Sequence, residues 1–148
     1  MLPGRGYDLM NSQFIGSAGE SLVAVVLKSR GISVAVPEPD NGVDLLAKIN
    51  GVWQEIQIKT QFAPSPAGGS GKLSIGWSVP VNCPADIIAV VNLESFEVWF
   101  FSFEEYKELA QQKTGKYFKL YMFTDETVKT GKAKALKSQF EGYKTINQ

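Results

Sequence analysis

The spacing of apolar residues in the first part of the chain predicts an amphipathic helix. Between Ser12 and Arg30, apolar side chains recur three or four residues apart: Ile15, Ala18, Leu22, Val25 and Val26. This spacing places them along one face of an α-helix. Gly31 follows the last apolar turn and is typical of a helix end. We therefore expect a helix over residues 12–30.

The next pattern is that of two strands joined by a tight turn. The runs Val43–Ile49 and Val52–Thr60 alternate between apolar and polar residues, and they are separated by Asn50-Gly51. Asn-Gly is the strongest short-range signal for a two-residue type I′ hairpin. We predict an antiparallel hairpin over residues 43–60.

A two-residue turn also fixes which side chains share a face of the hairpin. With Asn50-Gly51 at the turn, Asp44 lies opposite Gln57. Side chains alternate along a strand, so Lys59 lies on the same face, two residues further on. The opposite face is largely apolar, from Val43 to Ile58, and is expected to be core.

Further runs predict the remaining elements. Strands are expected at 32–36, 72–77, 87–93, 97–101 and 117–123, and a second helix at 103–112. Residues 61–71 are rich in Gly, Pro and Ser and predict a loop. With 148 residues, 44% hydrophobic and 20% charged, the chain is expected to be one globular domain over residues 1–148. The longest apolar run, Leu22–Leu27, is too short to span a membrane, which favours a soluble, cytoplasmic protein without a membrane partner.

Composition narrows the possible chemistry. The chain has no histidine and one cysteine, Cys83, which excludes histidine-based catalysis and structural zinc. Any hydrolysis would rely on carboxylates, lysine and a metal held by oxygen ligands. Mg²⁺ prefers such ligands, and the Asp44 carboxylate and the Gln57 amide oxygen would supply them. Lys59 beside them would activate the attacking water or stabilise charge in the transition state, although a solvated strand face has the same residue types.

The net charge is zero, but the charges are unevenly distributed. Residues 1–100 carry six Lys/Arg and nine Asp/Glu, whereas residues 101–148 carry nine and six. Residues 124–148 form a possible basic C-terminal extension. The candidate DNA-binding residues in it are Lys129, Lys132, Lys134 and Lys137. They would neutralise phosphates of DNA, or they belong to a solvated tail.

The motif Gly42-Val43-Asp44-Leu45-Leu46 followed by Ile56-Gln57-Ile58-Lys59-Thr60 resembles the PD-(D/E)xK nuclease superfamily, in its variant with Gln in the acidic position. The resemblance covers Phe14–Thr60 well and extends loosely to Phe123. Within the superfamily the chain is most similar to small group I intron homing endonucleases and to restriction-like enzymes of Mrr type. Two positions depart from the motif: Val43 replaces the leading Pro, and Gln57 is a neutral ligand.

This resemblance implies a fold, an activity and a set of site residues. The fold would be α/β (α+β) with a restriction-endonuclease-like core, a mixed central sheet flanked by helices. The activity would be Mg²⁺-dependent cleavage of double-stranded DNA, with Mn²⁺ as a substitute metal. The metal ligands would be Asp44, Gln57, the backbone carbonyl of Ile58, and Glu20. Cutting both strands with so small a chain favours a homo-oligomer, a dimer or a tetramer.

Two alternatives remain open at this stage. Ser17-Ala18-Gly19-Glu20 also fits a capping box, in which Glu20 would only satisfy a helix N-terminus. In the second alternative, the chain has the nuclease fold but is catalytically inert, and it serves as a DNA-binding or immunity-type interaction protein. The intact pair Asp44 and Lys59 favours the enzyme, whereas the zero net charge favours the inert protein.

Overall fold

The computed structural model describes residues 11–38 and 42–146. The segment 37–42, whose Pro, Asp, Asn and Gly residues predict a turn-rich loop, therefore lies partly outside the described residues. The helices are α1 (Ser12–Ser29) and α2 (Phe103–Leu109), and 3₁₀ segments lie at Ala67–Gly69 and Lys137–Lys144. The strands are β1 (Val34–Ala35), β2 (Leu45–Ile49), β3 (Val52–Gln61), β4 (Ser65–Pro66), β5 (Leu73–Pro80), β6 (Ile87–Asn92), β7 (Glu97–Ser102), β8 (Gln112–Lys113) and β9 (Tyr117–Phe123).

The strands form two sheets. The central sheet has the order β1-β2-β3-β6-β7, and the second sheet has the order β4-β5-β9-β8. Strands β3 and β6 pair in parallel, whereas the hairpins β2–β3 and β6–β7 are antiparallel, so the central sheet is mixed. The second sheet did not follow from the sequence pattern.

The turn between β2 and β3 has the predicted geometry. Asn50 has a φ of 52° and Gly51 a φ of 78°, the left-handed values that a type I′ turn requires at both central positions. Ile49 pairs with Val52, and Leu45 with Ile56. The predicted register of the hairpin is therefore confirmed, although Val52, which was expected in the core, is 57% exposed.

Two apolar clusters lie on the two faces of the central sheet. Helix α1 packs Val23 and Leu27 against Ile56 and Ile58 on one face. On the other face the second sheet and α2 enclose a cluster rich in aromatic residues: Trp77, Trp99, Phe101, Tyr106 and Phe140. Strand β6 contributes to both clusters and is buried on both faces.

Helix α1 packs closely on β3 at a glycine. A Cβ added to Gly19 would lie 2.8 Å from both Cβ and Cγ2 of Thr60, closer than carbon atoms pack. Gly16, one turn earlier on the same helix, has nothing within 4 Å of an added Cβ. Gly19 therefore sets the distance between the helix and the strand that carries Gln57 and Lys59.

The C-terminal part of the described chain packs on the domain. Ala135 and Phe140 are fully buried, and Ile146 is 6% exposed. Glu97 on β7 forms ion pairs with Lys137 and Lys144 of the C-terminal 3₁₀ helix, both at 2.7 Å. Within the residues that the structure describes, no helix combines the length and the apolar character that crossing a membrane requires.

Gly19→Ala is expected to destabilise the protein by about 1–3 kcal/mol, the usual cost of overpacking. Gly16→Ala is the matched control, and it should stabilise α1 by about 0.5–1 kcal/mol because alanine is the better helix former. Urea unfolding of both variants measures the difference. Equal effects of the two substitutions would contradict the close approach at Gly19.

The ion pairs of Glu97 predict a pH dependence of stability. Burial raises the pKa of Glu97, but hydrogen bonds from Lys137, Lys144 and Ser95 outweigh burial and lower the pKa from 4.5 to about 2. A lowered pKa stabilises the folded state above the unfolded value, and this stabilisation is lost as the pH falls toward 2.

Glu97→Gln should therefore lower the free energy of unfolding at pH 7, and the gap to the wild type should close between pH 4.5 and pH 2. Urea titrations at several pH values measure this gap. Glu94→Gln is the control, because Glu94 has no ion pair within the described residues. A gap that persisted unchanged at pH 2 would contradict the assignment.

Candidate active site

The structure brings Asp44 and Gln57 together at the open end of the β2–β3 hairpin. Asp44 lies immediately before β2, and its N–H donates to the carbonyl of Ile56 at 2.9 Å. Its Oδ2 accepts hydrogen bonds from Nε2 of Gln57 and from the backbone N–H of Ile58, both at 2.8 Å. The two side chains thus share one face, as predicted, and both are partly exposed.

The hydrogen bond from Ile58 also locates its backbone carbonyl. In a strand, the N–H and C=O of one residue point to the same edge. Because the Ile58 N–H points to Asp44, the Ile58 carbonyl lies at the edge of β3 that faces Asp44. Oδ1 of Asp44 accepts no hydrogen bond from any residue that the structure describes.

Lys59 follows on the same face of β3. No carboxylate in residues 11–38 or 42–146 lies within ion-pair distance of its ammonium. The charges of Lys59 and Asp44 both act on the buried thiol of Cys83. Burial raises the pKa of this thiol, and a hydrogen bond at Ala85 and the charge of Lys59 lower it. The charge of Asp44 raises it. Lys59 and Asp44 therefore both lie near one thiol.

Glu20 on α1 is coupled to the same carboxylate. Burial raises the pKa of Glu20, and the negative charge of Asp44 raises it further. The side chain is nevertheless exposed, so it remains accessible to solvent and substrate. The two acids are thus within electrostatic range of each other.

The capping-box interpretation of Glu20 is wrong. Helix α1 begins at Ser12, and its N-cap is Asn11, whose side chain accepts a hydrogen bond from the N–H of Phe14. Ser17 and Glu20 lie inside the helix, where the backbone N–H groups already have helical partners.

The four lysines proposed for DNA binding lie in different surroundings. Lys129 and Lys132 are exposed, Lys134 lies 5.4 Å from the ring centre of Tyr143, and Lys137 is paired with Glu97. None of these contacts involves Asp44 or Lys59. Their role in DNA binding stays a prediction.

The loop between β5 and β6 packs beside the candidate site, a contact that the sequence pattern did not predict. A Cβ on Gly42 would lie 3.2 Å from the ring of Pro84, so the residues before Asp44 pack on this loop. Asp86 exchanges two hydrogen bonds with the backbone of Glu55, each of 2.9 Å. The Cys83-Pro84 pair in the sequence marks the loop, but the pattern does not show what it contacts.

The oxygen atoms of the site suit a hard cation. They come from the Asp44 carboxylate, the Gln57 amide, the Ile58 carbonyl and, from α1, Glu20. The described residues contain no group of three or more His, Cys, Asp or Glu that would hold a metal by themselves. Mg²⁺ binds through one or two carboxylates plus water and substrate phosphate, so the donors fit Mg²⁺ better than a metal that needs a complete protein cage.

Comparison with known proteins identifies the fold. No protein-family model matches the sequence, and no curated protein matches it. The structure is similar to the bacterial homing endonuclease I-Ssp6803I, with a TM-score of 0.60 and 16% identity, over 91% of this chain and 87% of that chain. It is also similar to the Holliday junction resolvase Hjc of Archaeoglobus fulgidus, with a TM-score of 0.50 and 14% identity, over 71% of this chain and 82% of that chain.

The chain therefore has an α+β, restriction-endonuclease-like fold, in which a mixed central sheet is flanked by helices. This was the fold class expected from the sequence. Its candidate site lies where β2 begins beside β3, with Glu20 of α1 within electrostatic range.

The coupling of Glu20 to Asp44 predicts a shift that NMR can measure. In Asp44→Asn the charge that helps to raise the pKa of Glu20 is gone, so the pKa of Glu20 should fall toward its ordinary value. Burial should keep it from falling all the way. Titration of the Glu20 carboxyl carbon gives the result directly.

Glu55→Gln is the control, since it removes an acid on β3 that does not act on Glu20. An unchanged Glu20 titration in Asp44→Asn would show that α1 does not contribute to the site.

Proposed function

We propose that the protein is a Mg²⁺-dependent DNA endonuclease of homing or restriction-like type that hydrolyses phosphodiester bonds. The observation that carries the proposal is the convergence of Asp44, Gln57 and Lys59 on one face at the hairpin end. The electrostatic coupling of Glu20 to Asp44 supports it. The similarity of fold to a homing endonuclease and a Holliday junction resolvase is consistent with it.

The proposed metal ligands are Asp44, Gln57, the carbonyl of Ile58, and Glu20. When bound, Mg²⁺ would polarise the scissile phosphate and help to provide hydroxide from water at neutral pH. Oδ1 of Asp44 has no partner among the described residues and is the atom best placed to bind the ion. Gln57 would exchange its hydrogen bond to Asp44 for a contact through its amide oxygen.

The protein's own groups have separate tasks in this proposal. The N–H of Ile58 holds Oδ2 of Asp44 at 2.8 Å, which fixes the carboxylate before the substrate arrives. Lys59 lacks a carboxylate partner within the described chain, so its charge is available to the extra negative charge of the phosphorus transition state. It would also orient or activate the attacking water.

The two similar structures suggest two forms of DNA substrate. I-Ssp6803I is a homing endonuclease and Hjc is a Holliday junction resolvase, so plasmid DNA and a four-way junction are the two substrates to compare. One active site per chain would cut one strand at a time. We therefore propose a dimer or a tetramer for double-strand cleavage.

Lys59→Ala and Asp44→Ala should each reduce cleavage in Mg²⁺ or Mn²⁺ by at least about 100-fold, the usual contribution of such catalytic groups. Their stability should change little, because the side chains lie on a partly exposed face. Gln57→Glu adds an anionic ligand, so it should remain active with an altered metal dependence. Nicking and linearisation of plasmid DNA measure these rates.

Lys48→Ala is the matched control, because Lys48 is an exposed lysine on β2 near the turn and should not affect cleavage. A Lys59→Ala protein as active as the wild type would refute the site assignment. A wild-type protein that bound DNA tightly without cutting plasmid or junction would instead support the inert, nuclease-fold binding protein.

A further inference from the structure

The charges of the chain are separated in space. Residues 61–81 and 111–123 form the second sheet and its adjoining loops, and they contain four lysines and no aspartate or glutamate. These lysines are Lys72, Lys113, Lys116 and Lys119. Since the whole chain has no net charge, the remainder carries −4. The second sheet therefore carries an excess of positive charge, although Lys72 is paired at 3.6 Å with Asp125, which follows β9.

The outer face of this sheet carries polar side chains that can donate hydrogen bonds. On β5 the inward residues Ile75, Trp77 and Val79 are buried, so Ser74, Gly76 and Ser78 point outward. They pair with Phe123, Tyr121 and Lys119 of β9, respectively, and Lys119 also pairs with Gln112 of β8. Hydroxyl, amide and ammonium groups thus share one face.

A groove of about 370 Å³ runs along this outer face. One side is lined by Ala63 and residues 65–68, and the other by Gln112, Lys119 and Tyr121. Gly76 makes room for the side chain of Lys119, because a Cβ at Gly76 would lie 3.0 Å from Cε of Lys119. Lys119 is exposed and has no ion pair within the described residues.

The groove begins on β3 close to the candidate active site. Gln61 follows Gln57 and Lys59 on the same face of β3, and its Nε2 donates to the carbonyl of Gly76 at 2.9 Å. Gln61 also lines the groove. Two residues of a strand span about 7 Å, so the groove begins one side-chain position beyond Lys59.

We propose that the outer face of the second sheet holds the duplex DNA that flanks the scissile phosphate. This inference rests on the proposed nuclease function. A duplex carries one negative charge per about 1.7 Å of its axis, and β5, with eight residues, extends over about 26 Å. Lys119 on this face and Lys116 in the turn before β9 contact backbone phosphates, while serine, tyrosine and glutamine side chains reach base edges.

The test measures binding of a short duplex without metal, so that no cleavage occurs. The variant Lys116→Gln/Lys119→Gln removes two exposed charges from the second sheet. The slope of log affinity against log salt should become shallower by about 2, because each phosphate contact contributes about 0.9. Lys28→Gln/Lys48→Gln, with two exposed lysines outside the sheet, is the control and should keep the wild-type slope.

The outcomes separate this proposal from the nuclease proposal. If the sheet variant kept the wild-type slope, if both double variants lowered it equally, or if the wild type did not bind the duplex, the surface assignment would be wrong. Cleavage of plasmid by the wild type would then still uphold the nuclease. A slope reduced only in the sheet variant, together with no cleavage by the wild type, would uphold the surface and refute the nuclease. Thermal melting of both double variants confirms that they are folded.

Discussion

A two-residue turn determines where every candidate catalytic side chain of the hairpin lies. Asn50 and Gly51 both adopt positive φ, and this conformation forces Ile49 to pair with Val52. A slip of one residue would move all side chains of β3 to the other face. Gln57 and Lys59 would then point into the core beneath α1, and Ile56 and Ile58 would be exposed to water. The burial of these isoleucines therefore stabilises the register that presents the site.

The second constraint is the use of backbone groups to position acids. The Asp44 carboxylate takes the hydrogen bond of the Ile58 N–H immediately before β2 begins, so the open end of the hairpin itself holds the carboxylate in position. Helix α1 brings Glu20 within electrostatic range of Asp44, and Gly19 lets this helix pack closely on Thr60. The same residue arrangement thus serves packing and the placement of Glu20.

Local patterns were sufficient for the helix, the hairpin and the grouping of Asp44 with Gln57 and Lys59. They were not sufficient for the pairing of distant strands. Strand β3 pairs in parallel with β6, and β5 pairs antiparallel with β9. The alternation of apolar and polar residues predicts that each segment is a strand, but it does not predict which strand pairs with which. The role of Glu20 was also ambiguous, since Ser17 fitted a cap that Asn11 provides. The second sheet and its acid-free composition became meaningful only once its strands were seen side by side.

The central claim is that the open end of the β2–β3 hairpin binds a divalent metal. Paramagnetic Mn²⁺ broadens NMR signals close to its binding site, so it locates the metal without any need for cleavage. The amide signals of Asp44, Ile58 and Lys59 should broaden first, followed by that of Glu20, while those of Asn50 and Gly51 at the far end of the hairpin stay sharp. Broadening centred elsewhere, or the same broadening in Asp44→Ala, would contradict the assignment.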